Sequence, residues 1–162
     1  PYDAFWIFVT QIESWTPLFL YFIGIVLYYH KGKKGAILLL GGIVTFLVTL
    51  AITDFTKTYV ARIRPNNLAT LSDLLRVLKT PTSYSFFSGH ASSSFCIVVF
   101  LVLCVRKFNL WVYLAFMWPI LFAASRIYVG VHYPSDIAVG ALVGSFLAVL
   151  GYRCSAYLAK KV

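Results

Sequence analysis

The segment SRIYVGVHYPSD, residues 125–136, gathers three ionisable side chains, Arg126, His132 and Asp136, in a chain of which only 12% is charged. An aspartate near a histidine can accept the Nδ1–H of the ring, which fixes the tautomer and leaves Nε2 free as a nucleophile or base. Taken alone, such a pair is more often a satisfied histidine at an interface and an acid in the first turn of a helix. The chemical interpretation therefore depends on which other residues join them.

A second histidine stands in Ser88-Gly89-His90, at the start of an apolar run that predicts a helix. The first backbone N–H groups of a helix have no internal partner, so this position is a natural site for an anion. Gly89 would let an anion approach the backbone closely. Ser88 would serve equally well as an ordinary N-cap and Gly89 as a turn residue, so these three residues alone do not decide the function.

Lys57 and Arg64 lie in a third polar stretch, KTYVARIRP, which ends at Pro65. They are seven residues apart, so they would share one face if the preceding helix continued through them until Pro65 discourages it. Cations at the end of an apolar helix are ordinarily interfacial side chains that reach toward water. We assign the neighbouring Arg62 and Arg76 to that ordinary class.

The three stretches make chemical sense together if their ligand is a phosphate. Arginine forks bind phosphate oxygens in pairs, lysine adds a point charge, and backbone amides complete the site. Two histidines can then divide covalent catalysis, because one attacks phosphorus while the other protonates the departing oxygen. This chemistry needs no metal and no cofactor, and we predict neither.

The elements that must position these residues are membrane helices. Hydrophobic residues make up 60% of the 162, and a helix that crosses a bilayer needs about 20 mainly apolar residues. We predict an all-α, polytopic transmembrane bundle that forms one domain over residues 1–162. An interfacial helix precedes five spans, an amphipathic surface helix lies in the long loop, and Pro119 kinks the fourth span. The predicted spans are 15–29, 35–55, 88–105, 110–125 and 134–158, with the interfacial helix at 2–14 and the surface helix at 68–79.

Short loops rich in lysine and arginine mark the cytoplasmic side of a membrane protein. Alternation through five spans gathers eight basic residues at one end, and we expect that end to be cytoplasmic: Lys31, Lys33, Lys34, Arg106, Lys107, Arg153, Lys160 and Lys161. The candidate site then faces the extracytoplasmic side, as in a protein of the bacterial inner membrane. The net charge of +9 reflects this orientation signal together with the site, and it gives no case for nucleic acid.

Three cysteines, Cys96, Cys104 and Cys154, all lie in apolar runs without metal-ligand or paired spacing. We expect free, buried thiols.

The motifs K-x6-R-P (57–65), SGH (88–90) and S-R-x5-H-x3-D (125–136) occur in an order that resembles the type 2 phosphatidic acid phosphatase superfamily. The resemblance implies that His132 is a nucleophile that forms a phosphohistidine, that Asp136 orients it, and that His90 is the acid for the leaving group. It further implies that the phosphate is bound by Lys57, Arg64, Arg126, Ser88 and Gly89. The family often has proline before SGH, where this chain has Phe87.

The resemblance implies an integral membrane, metal-independent phosphatase that removes the terminal phosphate of a lipid phosphate or diphosphate. Undecaprenyl diphosphate is the first candidate substrate, followed by phosphatidylglycerophosphate and phosphatidic acid. A lipid A phosphatase of the same family, a non-enzymatic anion-binding or transport protein, and a haloperoxidase-like relative are the alternatives. Lipid phosphate and the bilayer are the expected partners, and the sequence leaves the oligomeric state open.

Overall fold

The computed structural model describes residues 2–68 and 77–162, and within these residues it contains helices and no strand. The predicted all-α class is confirmed. Most of the predicted surface helix, residues 69–76, lies outside the described residues. The α-helices are α1 (Asp3–Thr10), α2 (Thr16–Tyr29), α3 (Gly32–Val60), α4 (Gly89–Val105), α5 (Met117–Tyr128) and α6 (Pro134–Ala159), with 3-10 turns at Ile12–Trp15, Pro65–Asn67 and Leu110–Phe116.

Four helical segments of the described chain are long and apolar enough to cross a membrane: Ile12–Tyr29, Gly32–Asn67, Leu110–Tyr128 and Pro134–Ala159. The third predicted span corresponds to α4, which has 17 residues and so reaches the lower end of the usual range of about 17 to 25. The five predicted spans are thus matched by five helical segments, and the polytopic bundle is confirmed.

The second span ends differently from the prediction. Helix α3 continues to Val60, and Ala61 then adopts a left-handed backbone with φ 49° while its amide bonds the carbonyl of Lys57 at 2.9 Å. Arg64 follows in extended conformation before Pro65. Lys57 and Arg64 therefore do not share a helical face, because the helix ends before Arg64 and the condition for a shared face is not met.

Helix α4 lies at the centre of the bundle, in contact with α2, α3, α5 and α6. Its closest neighbour is α6, which carries glycines where it meets α4. A Cβ atom at Gly140 would lie 2.7 Å from the carbonyl oxygen of Ser88, and one at Gly144 would overlap the carbonyl of Ser92. Small residues let helix backbones approach in a membrane protein, and this approach fixes the start of α4 against the start of α6.

Helix α3 faces the same centre with three buried threonines, which we call the threonine stripe: Thr45, Thr49 and Thr53. These residues recur every four positions, are buried, and bond the carbonyls one turn earlier at 2.6 to 2.8 Å. Thr53 also bonds Ser92 of α4 at 2.9 Å. Lys57 is the next residue of the four-residue series, so the packing of the stripe directs its side chain toward the start of α4.

The fourth span is irregular in its first half. Residues Leu110–Phe116 form a 3-10 helix, and Pro119 lies in the first turn of α5, where its missing N–H has no cost. The irregularity therefore precedes Pro119, instead of being the predicted kink at that residue. Trp118 follows the junction and packs against the rings of Phe19 and Phe122.

Helix α1 packs against α5, with the ring of Trp6 stacked on that of Tyr128 at 5.1 Å. All three cysteines are free as predicted, and Cys96 and Cys104 are buried. Cys154 is exposed, which corrects the expectation, because it lies on the outer face of α6.

Candidate active site

His132 and Asp136 lie at the start of α6. Pro134 begins the helix, Asp136 is in its first turn, and His132 occupies the turn before it. The Nδ1 atom of His132 lies 3.3 Å from Oδ2 of Asp136. Asp136 is fully buried, and its Oδ2 also accepts the backbone N–H of Tyr133 at 3.0 Å. The capping of α6 and the orientation of the imidazole therefore use the same carboxylate.

Two further residues hold the Asp136 carboxylate. The hydroxyl of Ser85 donates to Oδ2 at 2.5 Å, and Nη1 of Arg62 donates to Oδ1 at 2.7 Å. The guanidinium of Arg62 also lies over the ring of Tyr133, 3.9 Å from its centroid. Assigning Arg62 to ordinary interfacial cations was therefore wrong. The sequence contained one indication of this role: Arg62 lies two residues before Arg64, and in an extended segment alternate side chains point to the same side. No comparable indication existed for Ser85.

Arg64 is buried against the other nitrogen of His132. Its Nη1 lies 3.2 Å from Nε2 of the ring and donates to the carbonyl of Val131 at 2.9 Å, while Nε donates to the carbonyl of Ser83 at 2.6 Å. A guanidinium has no acceptor, so Nε2 must be the acceptor in this contact. The proton of the neutral ring is then on Nδ1, where it faces Asp136, and the lone pair of Nε2 faces Arg64.

Burial lowers the pKa of the His132 imidazole to about 4. The hydrogen bond that the ring donates to Asp136 acts in the opposite direction, and the positive charges of Arg64 and Arg126 add to the lowering. The ring is therefore neutral at neutral pH, as a nucleophile must be.

The start of α4 lies beside this pair. Ser88 caps the helix by accepting the N–H of Ala91 at 3.4 Å, and its own N–H donates to the backbone carbonyl of Asp136 at 3.0 Å. Ser88 thus joins α4 to α6 in this structure. Lys57 reaches the same point, since a Cβ at Gly89 would lie 3.5 Å from its Nζ. The N-terminus of α4 and an ammonium group therefore meet at Gly89.

Three cations, Lys57, Arg64 and Arg126, are close enough for their charges to act on one another. Among the described residues no carboxylate lies within ion-pair distance of any of them. Arg126 is 5% exposed, and its buried Nε has no hydrogen-bond partner in the described chain. Two buried guanidinium groups and a half-buried ammonium group that have no ion-pair partner in the described chain favour an anionic ligand.

His90 lies at the same end of the bundle, where the charge of Arg126 acts on it. Its ring stacks on Phe122 at 4.6 Å, and its Nε2 lies 3.4 Å from the carbonyl of Thr10. The hydroxyl of Thr10 accepts a hydrogen bond from Nη1 of Arg126 at 2.6 Å. Thr10, which links α1 to two site residues, was not among the residues predicted from the sequence. His90 also borders a cleft of about 250 Å³ that includes Lys79.

The structure brings the eight residues selected from the sequence to one end of the bundle, through the contacts described above. The described residues contain no group of three or more His, Cys, Asp or Glu side chains placed to hold a metal ion. The arrangement offers a neutral imidazole with an outward-facing lone pair, three cations for an oxyanion, and a second imidazole.

The sequence model of the PAP2 superfamily matches residues 35–160, and the chain belongs to that superfamily. The family suggested by the three motifs is thus confirmed. Among its relatives, the undecaprenyl-diphosphatase of Sulfolobus acidocaldarius is 32% identical over 139 residues, covering 86% of this chain and 62% of the relative. A lipid A 4'-phosphatase of Bacteroides thetaiotaomicron is 28% identical over 159 residues, covering 93% and 68%. The chain therefore spans about two thirds of the length of these relatives.

Solved structures show the same fold. A crystal structure of a PAP2 type phosphatidylglycerolphosphate phosphatase from Bacillus subtilis superimposes with a TM-score of 0.71 at 23% identity, over 95% of this chain and 76% of that one. The crystal structure of Aquifex aeolicus LpxE gives a TM-score of 0.63 at 26% identity, over 93% and 85%. These likenesses confirm the helical architecture.

Proposed function

We propose that this protein is an integral membrane phosphatase that removes the terminal phosphate of a lipid phosphate or diphosphate. The observation that carries the proposal is the environment of His132. Its Nδ1–H is directed at Asp136, and its Nε2 lone pair lies beside Arg64. Membership of the PAP2 superfamily and the names of its relatives support the same activity.

In the first step, Nε2 of His132 attacks phosphorus, and the bond from phosphorus to the leaving oxygen breaks. Lys57, Arg64 and Arg126 bind the phosphoryl oxygens and stabilise their charge; Arg64 exchanges its contact with Nε2 for one with the phosphoryl group. His90 gives a proton to the leaving oxygen. The products are a phosphohistidine and the lipid alcohol or lipid monophosphate.

In the second step, His90 accepts a proton from water, and the oxygen of that water attacks the phosphohistidine. The bond between phosphorus and Nε2 breaks, which releases inorganic phosphate and restores the neutral ring of His132. Asp136 stabilises the positive charge that the imidazole carries while it is phosphorylated. Each step balances with water as the only co-reactant, so we propose a metal-independent reaction.

An apolar cavity between the helices supports a binding place for the lipid chain of the substrate. An apolar cavity of about 300 Å³ lies among α2, α3 and α4, and Ile12 borders both this cavity and the His90 cleft. We propose that part of the tail occupies this cavity while the phosphate reaches the cations. Undecaprenyl diphosphate is our first candidate, with phosphatidylglycerophosphate, phosphatidic acid and lipid A phosphates behind it.

The test is phosphate release from a panel of these lipids by purified protein in detergent with EDTA present. We expect release, inhibition by vanadate, which mimics five-coordinate phosphorus, and a loss of more than about 10⁴-fold in His132→Ala. Gly24→Ala is a matched control, because a Cβ at Gly24 meets nothing within 4 Å.

Retained turnover in a folded His132→Ala protein would exclude the phosphohistidine. Lipid phosphate that binds without being hydrolysed would support the anion-binding alternative. A requirement for a divalent cation would refute metal independence alone.

A further inference from the structure

The carboxylate of Asp136 is held from both sides by residues that are not among the specified positions of the three motifs. We propose that Arg62 and Ser85 are positioning residues, which fix the rotation of this carboxylate and thereby orient His132 for attack. This inference rests on the proposed function. Neither residue is assigned a role by the family motifs in this sequence.

The distances show which contacts define the carboxylate. Oδ1 accepts Nη1 of Arg62 at 2.7 Å, and Oδ2 accepts the Ser85 hydroxyl at 2.5 Å and the Tyr133 N–H at 3.0 Å. The contact of Oδ2 with His132 is the longest of the four, at 3.3 Å. Three donors from three separate segments therefore fix the carboxylate, and the imidazole aligns to a group that is already in place.

Ser85 contacts both members of the pair. Its hydroxyl lies 3.4 Å from Nδ1 of His132 as well as 2.5 Å from Oδ2. A hydroxyl has one proton and two lone pairs, so Ser85 can donate to the carboxylate while its oxygen faces the Nδ1–H. Ser85 is fully buried, and removing its oxygen leaves Oδ2 and Nδ1 with one fewer partner each.

Arg62 differs from the three cations that we assign to the phosphate. Its Nη1 is bound to Asp136 and to Ser135 at 3.0 Å, and its guanidinium lies against the ring of Tyr133. Its charge is therefore paired directly with a carboxylate, whereas no carboxylate of the described residues lies within ion-pair distance of Lys57, Arg64 or Arg126. Loss of Arg62 should consequently slow the chemical step and leave substrate binding nearly unchanged.

The test measures kcat and KM of Arg62→Met, Arg62→Lys and Ser85→Ala with one lipid diphosphate in micelles of fixed composition. A misplacement of about 1 Å can reduce a rate by about 100-fold, and we expect a fall in kcat of about that size for Arg62→Met and Ser85→Ala, with little change in KM. Lysine keeps the charge but not the planar fork, so Arg62→Lys should recover part of the rate.

Two substitutions serve as matched controls. Arg106→Met removes an exposed guanidinium at the opposite end of the bundle, and Ser155→Ala removes a buried hydroxyl that bonds the carbonyl of Gly151 within α6. Both should keep the kcat of the unaltered protein. A rise in KM with unchanged kcat in Arg62→Met would make Arg62 a phosphate-binding cation, and unchanged kinetics in both test variants would reject the proposal.

A second readout does not require turnover. The ¹⁵N resonances of His132, identified by their loss in His132→Ala, should report the Nδ1–H tautomer in the unaltered protein and a mixture of tautomers in Ser85→Ala and Arg62→Lys. Unchanged resonances in both variants would overturn the positioning role even if Arg62→Met does not fold. An inactive wild-type protein with the expected resonances would contradict the proposed function and leave the positioning role standing.

Discussion

The imidazole of His132 meets opposite kinds of groups at its two nitrogens. An ionised Asp136 can only accept a hydrogen bond, here from Nδ1–H of the ring. Arg64 can only donate one, here to Nε2. The tautomer therefore follows from the chemistry of the neighbours. Arg64 both selects the tautomer and is proposed to bind the phosphoryl oxygens. Its present contact with Nε2 therefore lies next to the position proposed for the phosphoryl group.

The acid limb of the pH profile should belong to His132. Because burial lowers its pKa to about 4, the ring stays neutral well below the ordinary value of about 6.5, and it is lost as a nucleophile only as pH falls through 4. We expect kcat/KM to hold down to about pH 5 and to fall below it.

The measurement is kcat/KM from pH 3.5 to 9 in one mixed buffer. A phosphate monoester itself titrates near pH 6. Its ionisation in the same micelles is therefore measured by ³¹P NMR, and kcat/KM is corrected for the fraction of each ionic form. A corrected acid limb near 6.5 would contradict the buried, neutral imidazole, and a profile without an acid limb would contradict the role of His132 as nucleophile.

The motif residues could be found from the sequence because phosphate chemistry demands their types, and three ordered motifs are specific. Ser85 and Thr10 could not be found in this way. Ser85 reaches Asp136 across 51 positions, and Thr10 reaches Arg126 across 116. Their hydroxyls carry no charge and no motif, so only the folded chain shows what they contact.

At the scale of the elements, the contact between α4 and α6 determines where the site forms. Ser88 at the start of α4 donates to the backbone of Asp136 at the start of α6, and glycines on α6 allow that approach. The spans themselves could be predicted from hydropathy, since each is a long apolar run. The end of α3 could not, because Ala61 has a left-handed backbone that alanine rarely adopts.

Gly144→Ala should damage the site from a distance. A methyl group there would overlap the backbone carbonyl of Ser92, and backbone cannot rotate away as a side chain can. We expect a destabilisation of about 1 to 3 kcal/mol, together with reduced kcat, because the start of α4 must move. Thermal unfolding in detergent and phosphate release measure the two effects.

Gly24→Ala is again the control, since it adds the same methyl group to a membrane helix in open space. Equal stability of the two variants would show that α4 and α6 can separate without consequence. The interface would then not be what positions the site.

For the whole molecule, charge determines the orientation. The eight basic residues gathered opposite the site predict that the site faces away from the cytoplasm, and we propose that side for the reaction. The bilayer could be inferred from composition, because 60% hydrophobic residues exceed what a soluble domain carries. The positions of Lys79 and Ser83 at the site could not be predicted from composition, because residues 77–88 form neither helix nor strand.

Orientation can be tested with two introduced cysteines. Asn67 and Lys107 are exposed at opposite ends of the bundle and serve as the labelling sites. Cys96 and Cys104 are buried and can stay, whereas the exposed Cys154 must first be replaced by serine. In intact bacteria a membrane-impermeant maleimide should label Asn67→Cys, and it should label Lys107→Cys only after permeabilisation. The reverse pattern would place the site in the cytoplasm.

The threonine stripe has a consequence for how this chain can change in length. One residue inserted between Thr53 and Lys57 would turn everything after it by about 100° and advance it by about 1.5 Å. The ammonium of Lys57 would swing out toward the lipid while the stripe stayed docked on α4. The number of residues separating Thr53 from Lys57 is therefore as constrained as the lysine itself.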